Sequence, residues 1–186
     1  LQVRPVEGQH VLVEPPGGDR MPAPQVTSGT YTLQIALEGD TATSPVEVRF
    51  DPRLEVPSSG RRAKRQAMLR AGAHFETAAA AVERIRDAKE QVDRVVEMAT
   101  EQAAASADSL DAAGTRLKEA LTAAEEAFVG PTEEVQGIVR EQESVTARLE
   151  RAYFSLSSSF DAPTEAQRRL LRRAEGVLEE AVAQTN

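Results

Sequence analysis

The chain has 186 residues, enough for one ordinary domain or a domain with a small appendage. Its formal net charge of −8 disfavours a nucleic-acid partner, whose affinity would come from phosphate neutralisation. The absence of cysteine excludes disulfides, thiolate catalysis and Cys-based zinc sites.

No stretch approaches the ~20 apolar residues of a membrane-spanning helix. Hydrophobic content is 40%, much of it alanine, and aromatics are 4%, so helices can approach closely while each side chain buries little area. The chain starts at Leu1 with no signal-peptide pattern, and a processed chain or a fragment is expected.

Residues 1–57 hold eight of the ten prolines and five of the eleven glycines. Val11, Leu12 and Val13 offer a short strand, and residues 14–29 form a loop on turn chemistry. Tyr31, Leu33, Ile35 and Leu37 then alternate with Thr32, Gln34 and Ala36. After a turn at Gly39-Asp40, Val46, Val48 and Phe50 alternate with Glu47 and Arg49. This spacing predicts a hairpin with one apolar face. Two or three strands are too few to stand alone, so that face needs the helices or further strands.

A long amphipathic helix is expected over about 59–104, with Ser58 or Ser59 as N-cap. Ala71, Ala78, Ile85, Val92 and Ala99 form one line of its seam. Phe75, Val82, Val96 and Ala103 form the second, broken by Lys89. The seam reads either as internal core or as a surface for oligomerisation.

Helix two is expected over about 107–128, with Leu110, Ala113, Leu117, Ala120 or Leu121, Ala124 and Phe128 inward and Gly130-Pro131 as the stop. Helix three, over about 132–157, carries Val135, Ile138, Val145, Leu149, Ala152 and Leu156, with Gln142 as a polar member that fixes register. Ser157-Ser158-Ser159 breaks it. Helix four, over about 164–184, presents Leu170, Ala174, Val177 and Ala181, widened by Leu171 and Leu178. A Thr164–Gln167 capping box opens it. The expected fold is mainly α: an antiparallel bundle of about four helices over 58–186 with a very long first helix, preceded by a small β segment over 1–57.

Ser28-Gly29-Thr30-Tyr31-Thr32-Leu33, Gly39, Pro45-Val46-Glu47-Val48 and Asp51-Pro52-Arg53 resemble a recurring bacterial pattern. In it a PGTYT-like strand, a glycine turn, a second strand and a DPR motif lead into a long helix. The pattern is similar to the C-terminal region of secreted sortilin-like (Vps10-type) β-propeller proteins, often labelled BNR-repeat or glycosyl-hydrolase-like. The stretches Leu117 to Phe128 and Ser157 to Gln167 fit it as well. The resemblance covers residues 28–186 in patches. Ser28 stands where proline is usual, no aromatic strand is recognisable in 1–27, and the propeller is absent. The resemblance implies an Ig-like remnant, an extracytoplasmic (periplasmic or secreted) location and an upstream β-propeller as partner. It transfers no functional residue, because the family's annotated activity would sit in the propeller.

Chemistry-bearing groups are sparse. His10 and His74 lack metal-ligand spacing. Glu125-Glu126, Glu133-Glu134 and Glu179-Glu180 diverge by ~100° on a helix and read as solvated faces. Ser157-Ser158-Ser159 has no nearby base, and Gly17-Gly18 is not followed by a phosphate-loop lysine. No cofactor is expected.

The sharpest feature is Arg61, Arg62, Lys64 and Arg65, with Arg70 beyond. These cations stand near a helix N-terminus, where the dipole disfavours them. One reading is a docking patch for an acidic partner, phosphate or lipid headgroups. The other is a solvated helix start paired with Glu55 and acids of a neighbouring helix. Arg168, Arg169, Arg172 and Arg173 have the same status, with the glutamates of helices two and three as candidate partners. The expected function is a non-catalytic structural or protein-interaction module. The alternatives are a free-standing accessory subunit bracing a larger membrane-associated complex, and a carbohydrate-active fragment.

Overall fold

In the computed structural model of the chain, residues 21, 24–102, 107–131 and 144–185 are described. Two strands, β1 (Gly29–Leu37) and β2 (Asp40–Val48), precede four helices: α1 (Ser58–Gln102), α2 (Ala107–Val129), α3 (Val145–Ser157) and α4 (Glu165–Gln184). The chain is mainly helical, with a two-stranded antiparallel sheet on its N-terminal side.

The strands form a hairpin in the register Tyr31↔Val46, Leu33↔Ser44 and Ile35↔Ala42. The loop is Glu38-Gly39, not Gly39-Asp40, with φ of 50° and 98°. Positive φ at both central residues marks the type I′ turn that matches strand twist, and Glu38 adopts it without a glycine's freedom. Residues directly opposite share a face, so Tyr31, Leu33, Ile35 and Leu37 lie beside Val46 and Val48. Leu33 is 45% exposed, Ile35 49%, Leu37 71% and Val46 40%. The helices leave this face open. Tyr31 ties the strand's start by donating from its hydroxyl to the Thr27 carbonyl at 2.8 Å.

The 45 residues of α1 run about 67 Å and serve as the bundle's spine. Arg61 N–H bonds the Pro57 carbonyl, so Ser58 and Ser59 already lie in the first turn and are not caps. The two halves of α1 have different partners. Its C-terminal half meets α2 in antiparallel sense: Lys89 pairs with Glu125, and Asp93 with Lys118. Val96 reaches Gly114, where an added Cβ would stand 2.5 Å from Val96 Cγ2; the helices approach this closely because residue 114 has no side chain. Its N-terminal half meets α3 and α4. Phe75 makes an edge-on contact with Tyr153 of α3, and Arg70 and His74 pair with Glu175 of α4.

The end of α2 and the start of α3 are neighbours, since a Cβ on Gly130 would lie 3.9 Å from Ser144. The two helices therefore follow one another along the same side of α1. The single helix expected over 132–157 is corrected. Ser144, with ψ of 162°, leaves helical geometry and accepts from Ala147 N–H, so the described helix opens at Val145. Val135, Ile138, Gln142, Glu133 and Glu134 lie outside the described residues, as do His10, Ala103 and the strand expected at 11–13.

The core holds Ala71, Phe75, Ala78, Val82 and Ile85 of α1, with Phe128, Val145, Leu149, Ala152 and Leu156. The expected seam of α1 is therefore internal over these turns. Met21 is seated in the same core. On α2 the expected stripe holds in the second half, where Phe128 is buried and Leu121 and Ala124 pack against the core; in the first half Gly114 is buried instead, while Leu117 is 50% exposed and Leu110 36%. On α4 the buried line is Leu171, Ala174, Leu178 and Ala181, with Leu170 and Val177 at its margin. The capping box of Thr164 and Gln167 is present with both hydrogen bonds.

Candidate functional site

The turn from β2 into α1 is built by Asp51-Pro52-Arg53. Asp51 accepts from the Arg53 backbone N–H at 2.9 Å and from its guanidinium at 2.6–3.1 Å. The turn brings the hairpin's end alongside the first two turns of α1. Gly60 lies against Ala162, which sets the α3–α4 loop beside the same turns. A cleft of about 270 Å³ opens between the three segments.

Helix periodicity decides which cations face it. Arg61, Lys64, Arg65 and Met68 stand at i, i+3, i+4 and i+7 and line the cleft. Arg62 does not line it and is exposed. Arg70, the outermost cation of the expected docking patch, does not line the cleft and turns to Glu175 at 2.6 Å. Arg49 also lines the cleft, held by Glu47 at 2.6 Å.

Two aromatic rings hold the cations in place. The Arg61 guanidinium carbon sits 3.9 Å from the Phe50 ring centroid, and an Arg61 nitrogen donates to the Val56 carbonyl. Lys64 Nζ lies 5.5 Å from the Phe160 centroid. Burial pushes the Lys64 ammonium below the usual lysine range, with Asp161 acting in the opposite sense. The expected Glu55 pairing is not among the ion pairs of the described residues. The rings escape sequence reasoning because they come from a strand end and a loop, far apart in the chain. Their one signal is position: Phe50 ends the apolar alternation of its strand, and Phe160 stands just beyond the serine run that closes α3.

A second polar cluster lies deeper. Glu175 is 7% exposed and receives Arg70 and His74, the latter at 2.9 Å. Its place was readable, since it stands four residues after Leu171 and three before Leu178 on the apolar line of α4. On α2, Glu125 is not on a solvated face. Lys89 and Arg86 each bind it at 2.7 Å and hold its carboxyl below the usual range, Lys89 contributing most. Lys89 interrupts the α1 seam for this reason. Arg168 and Arg172 pair with Glu165 of their own helix, at 3.7 and 2.6 Å, not with α2 or α3.

Among the described residues there is no group of three or more His, Asp or Glu side chains placed to hold a metal ion, and no helix long and apolar enough to cross a membrane. No protein-family profile, curated protein or solved structure matches the chain.

Proposed function

We propose that the chain is a non-catalytic interaction module of an extracytoplasmic protein, in which the helical bundle presents the hairpin to further β-strands. The observation that carries this reading is the open apolar face of the hairpin, with Leu33, Ile35, Leu37 and Val46 all at least 40% exposed on a sheet that has two strands among the described residues. A sheet of that size gains stability by packing its face and pairing its edges. The Tyr31–Thr27 tie supports an Ig-like context. In such sandwiches a strand-start tyrosine bonds the backbone a few residues upstream, and the tie orients a strand that other strands then cover. The sortilin-like resemblance adds an upstream β-propeller protein as the source of those strands.

Bringing Leu33→Lys and Ile35→Lys together tests this reading. Far-ultraviolet circular dichroism and the helical melting transition stay as in the wild type, because the face touches no helix. Recovery of the chain with β-rich extracytoplasmic protein from its native source is lost. Unchanged recovery of that protein by the double variant contradicts the reading.

A further inference from the structure

We propose that the cleft between the hairpin's end and α1 binds an acidic peptide segment that carries an apolar side chain between its carboxylates. This rests on the interaction-module reading and names the chemistry of a second surface of the same module.

Charge gives the first argument. Arg49, Arg61, Lys64 and Arg65 line the cleft, and among the described residues no carboxylate does, in a chain of net charge −8. The facing acids sit outside the lining: Glu47 holds Arg49, and Asp161 acts on Lys64 from the α3–α4 loop. Arg65 has no ion pair among the described residues. Cations gathered this way, and partly withdrawn from water, are matched by an anion that replaces their hydration.

Shape and apolar lining give the second. Val26, Val48 and the buried Met68 supply hydrocarbon walls beneath the cations. A cleft of about 270 Å³ accepts one apolar side chain and the backbone that bears it. The ligand therefore needs charge and hydrocarbon within a few ångströms of each other, as a peptide with an aromatic or leucine between glutamates provides.

Geometry selects the peptide over a lipid surface. Arg61 lies on Phe50 and Lys64 near Phe160, so both are folded into a concavity. A cation that reaches for a headgroup layer extends its stem to carry the charge outward, which the ring contacts of Arg61 and Lys64 oppose.

The test is fluorescence anisotropy with labelled eight-residue peptides of four glutamates around a central phenylalanine or leucine. The wild-type chain binds, and raising salt weakens binding. Replacing the glutamates by glutamines abolishes it. Lys64→Gln with Arg65→Gln weakens it at least about tenfold. If that pair disturbs the helical dichroism, Phe160→Ala serves instead, since Phe160 is 47% exposed and outside the core. The Leu33→Lys and Ile35→Lys chain binds the peptide as the wild type does, which separates failure of the cleft from failure of the hairpin surface. Three results overturn the proposal: no binding at millimolar peptide, equal binding of the glutamine peptides, or no response to the cleft substitutions. Sedimentation with phosphatidylserine vesicles that depends on Lys64 and Arg65, without peptide binding, assigns the cleft to a membrane surface and overturns it too.

Discussion

His74 Nε2 lies 2.9 Å from Glu175 Oε1, and this contact, with Arg70 on the same carboxylate, joins the near half of α1 to the middle of α4. The carboxylate is almost fully withdrawn from water, while the Arg70 side chain is 63% exposed. Desolvation of Glu175 offsets much of the Coulomb gain, yet removal of a partner leaves a buried charge undercompensated. A double-mutant cycle on Arg70→Ala and Glu175→Ala is therefore expected to give a coupling of about 1–2 kcal/mol. The same cycle on Arg172 and Glu165, both more than half exposed, is expected to give less than about 1 kcal/mol. Equal couplings from chemical denaturation would remove Glu175 as a specific lock between α1 and α4.

Gly114 and Val96 set the approach of α2 to α1. A methyl at residue 114 overlaps Val96 Cγ2 at 2.5 Å. Gly114→Ala in the wild type is expected to destabilise by about 1–2 kcal/mol, the overpacking outweighing alanine's helix propensity. In a Val96→Ala background the overlap is gone, and Gly114→Ala is expected to stabilise by about 0.5–1 kcal/mol. Denaturant midpoints of the four chains check the reversal of sign. The same sign in both backgrounds would show that the helices do not meet at this pair.

These relationships also show what the amino-acid pattern could convey. Three-four spacing located α1, α2 and α4, and it found the buried lines of α3 from Val145 onward, because each stripe repeats with the helix period. It misjudged the inward residues in the first half of α2. Leu110 and Leu117 advertise an apolar stripe, but close approach at Gly114 leaves those leucines at the margin, while Leu121, Ala124 and Phe128 stand inward as their spacing implies. A glycine in mid-helix carries no hydrophobic signal, so the contact that decided the first half was silent. The cleft was half legible. Arg61, Lys64 and Arg65 were visible as a basic helix start, whereas Phe50 and Phe160 meet them only through the tertiary placement of a strand end and a loop.

Tyr153 supplies a pH dependence on the alkaline side. Burial pushes its phenol up to about 12 from an ordinary value of 10, so the folded state favours the neutral form. A group raised on folding contributes stability that is complete below its unfolded value and lost as pH climbs through the folded one. Stability is thus expected to fall between about pH 10 and 12, and Tyr153→Phe is expected to flatten that fall. Melting temperatures across this range, measured for both chains, check it. Parallel curves would mean that the phenol is not withdrawn from water.

The proposed function requires that other strands cover the face of Tyr31, Leu33 and Ile35 in the working protein. The most direct measurement places a photoactivatable benzophenone amino acid at position 35 in the native source and sequences the crosslinked peptides. Adducts are predicted on a segment of alternating apolar and polar residues outside α1 to α4, the pattern of a strand lying on the face. No adduct, or adducts confined to the four helices, would contradict the account.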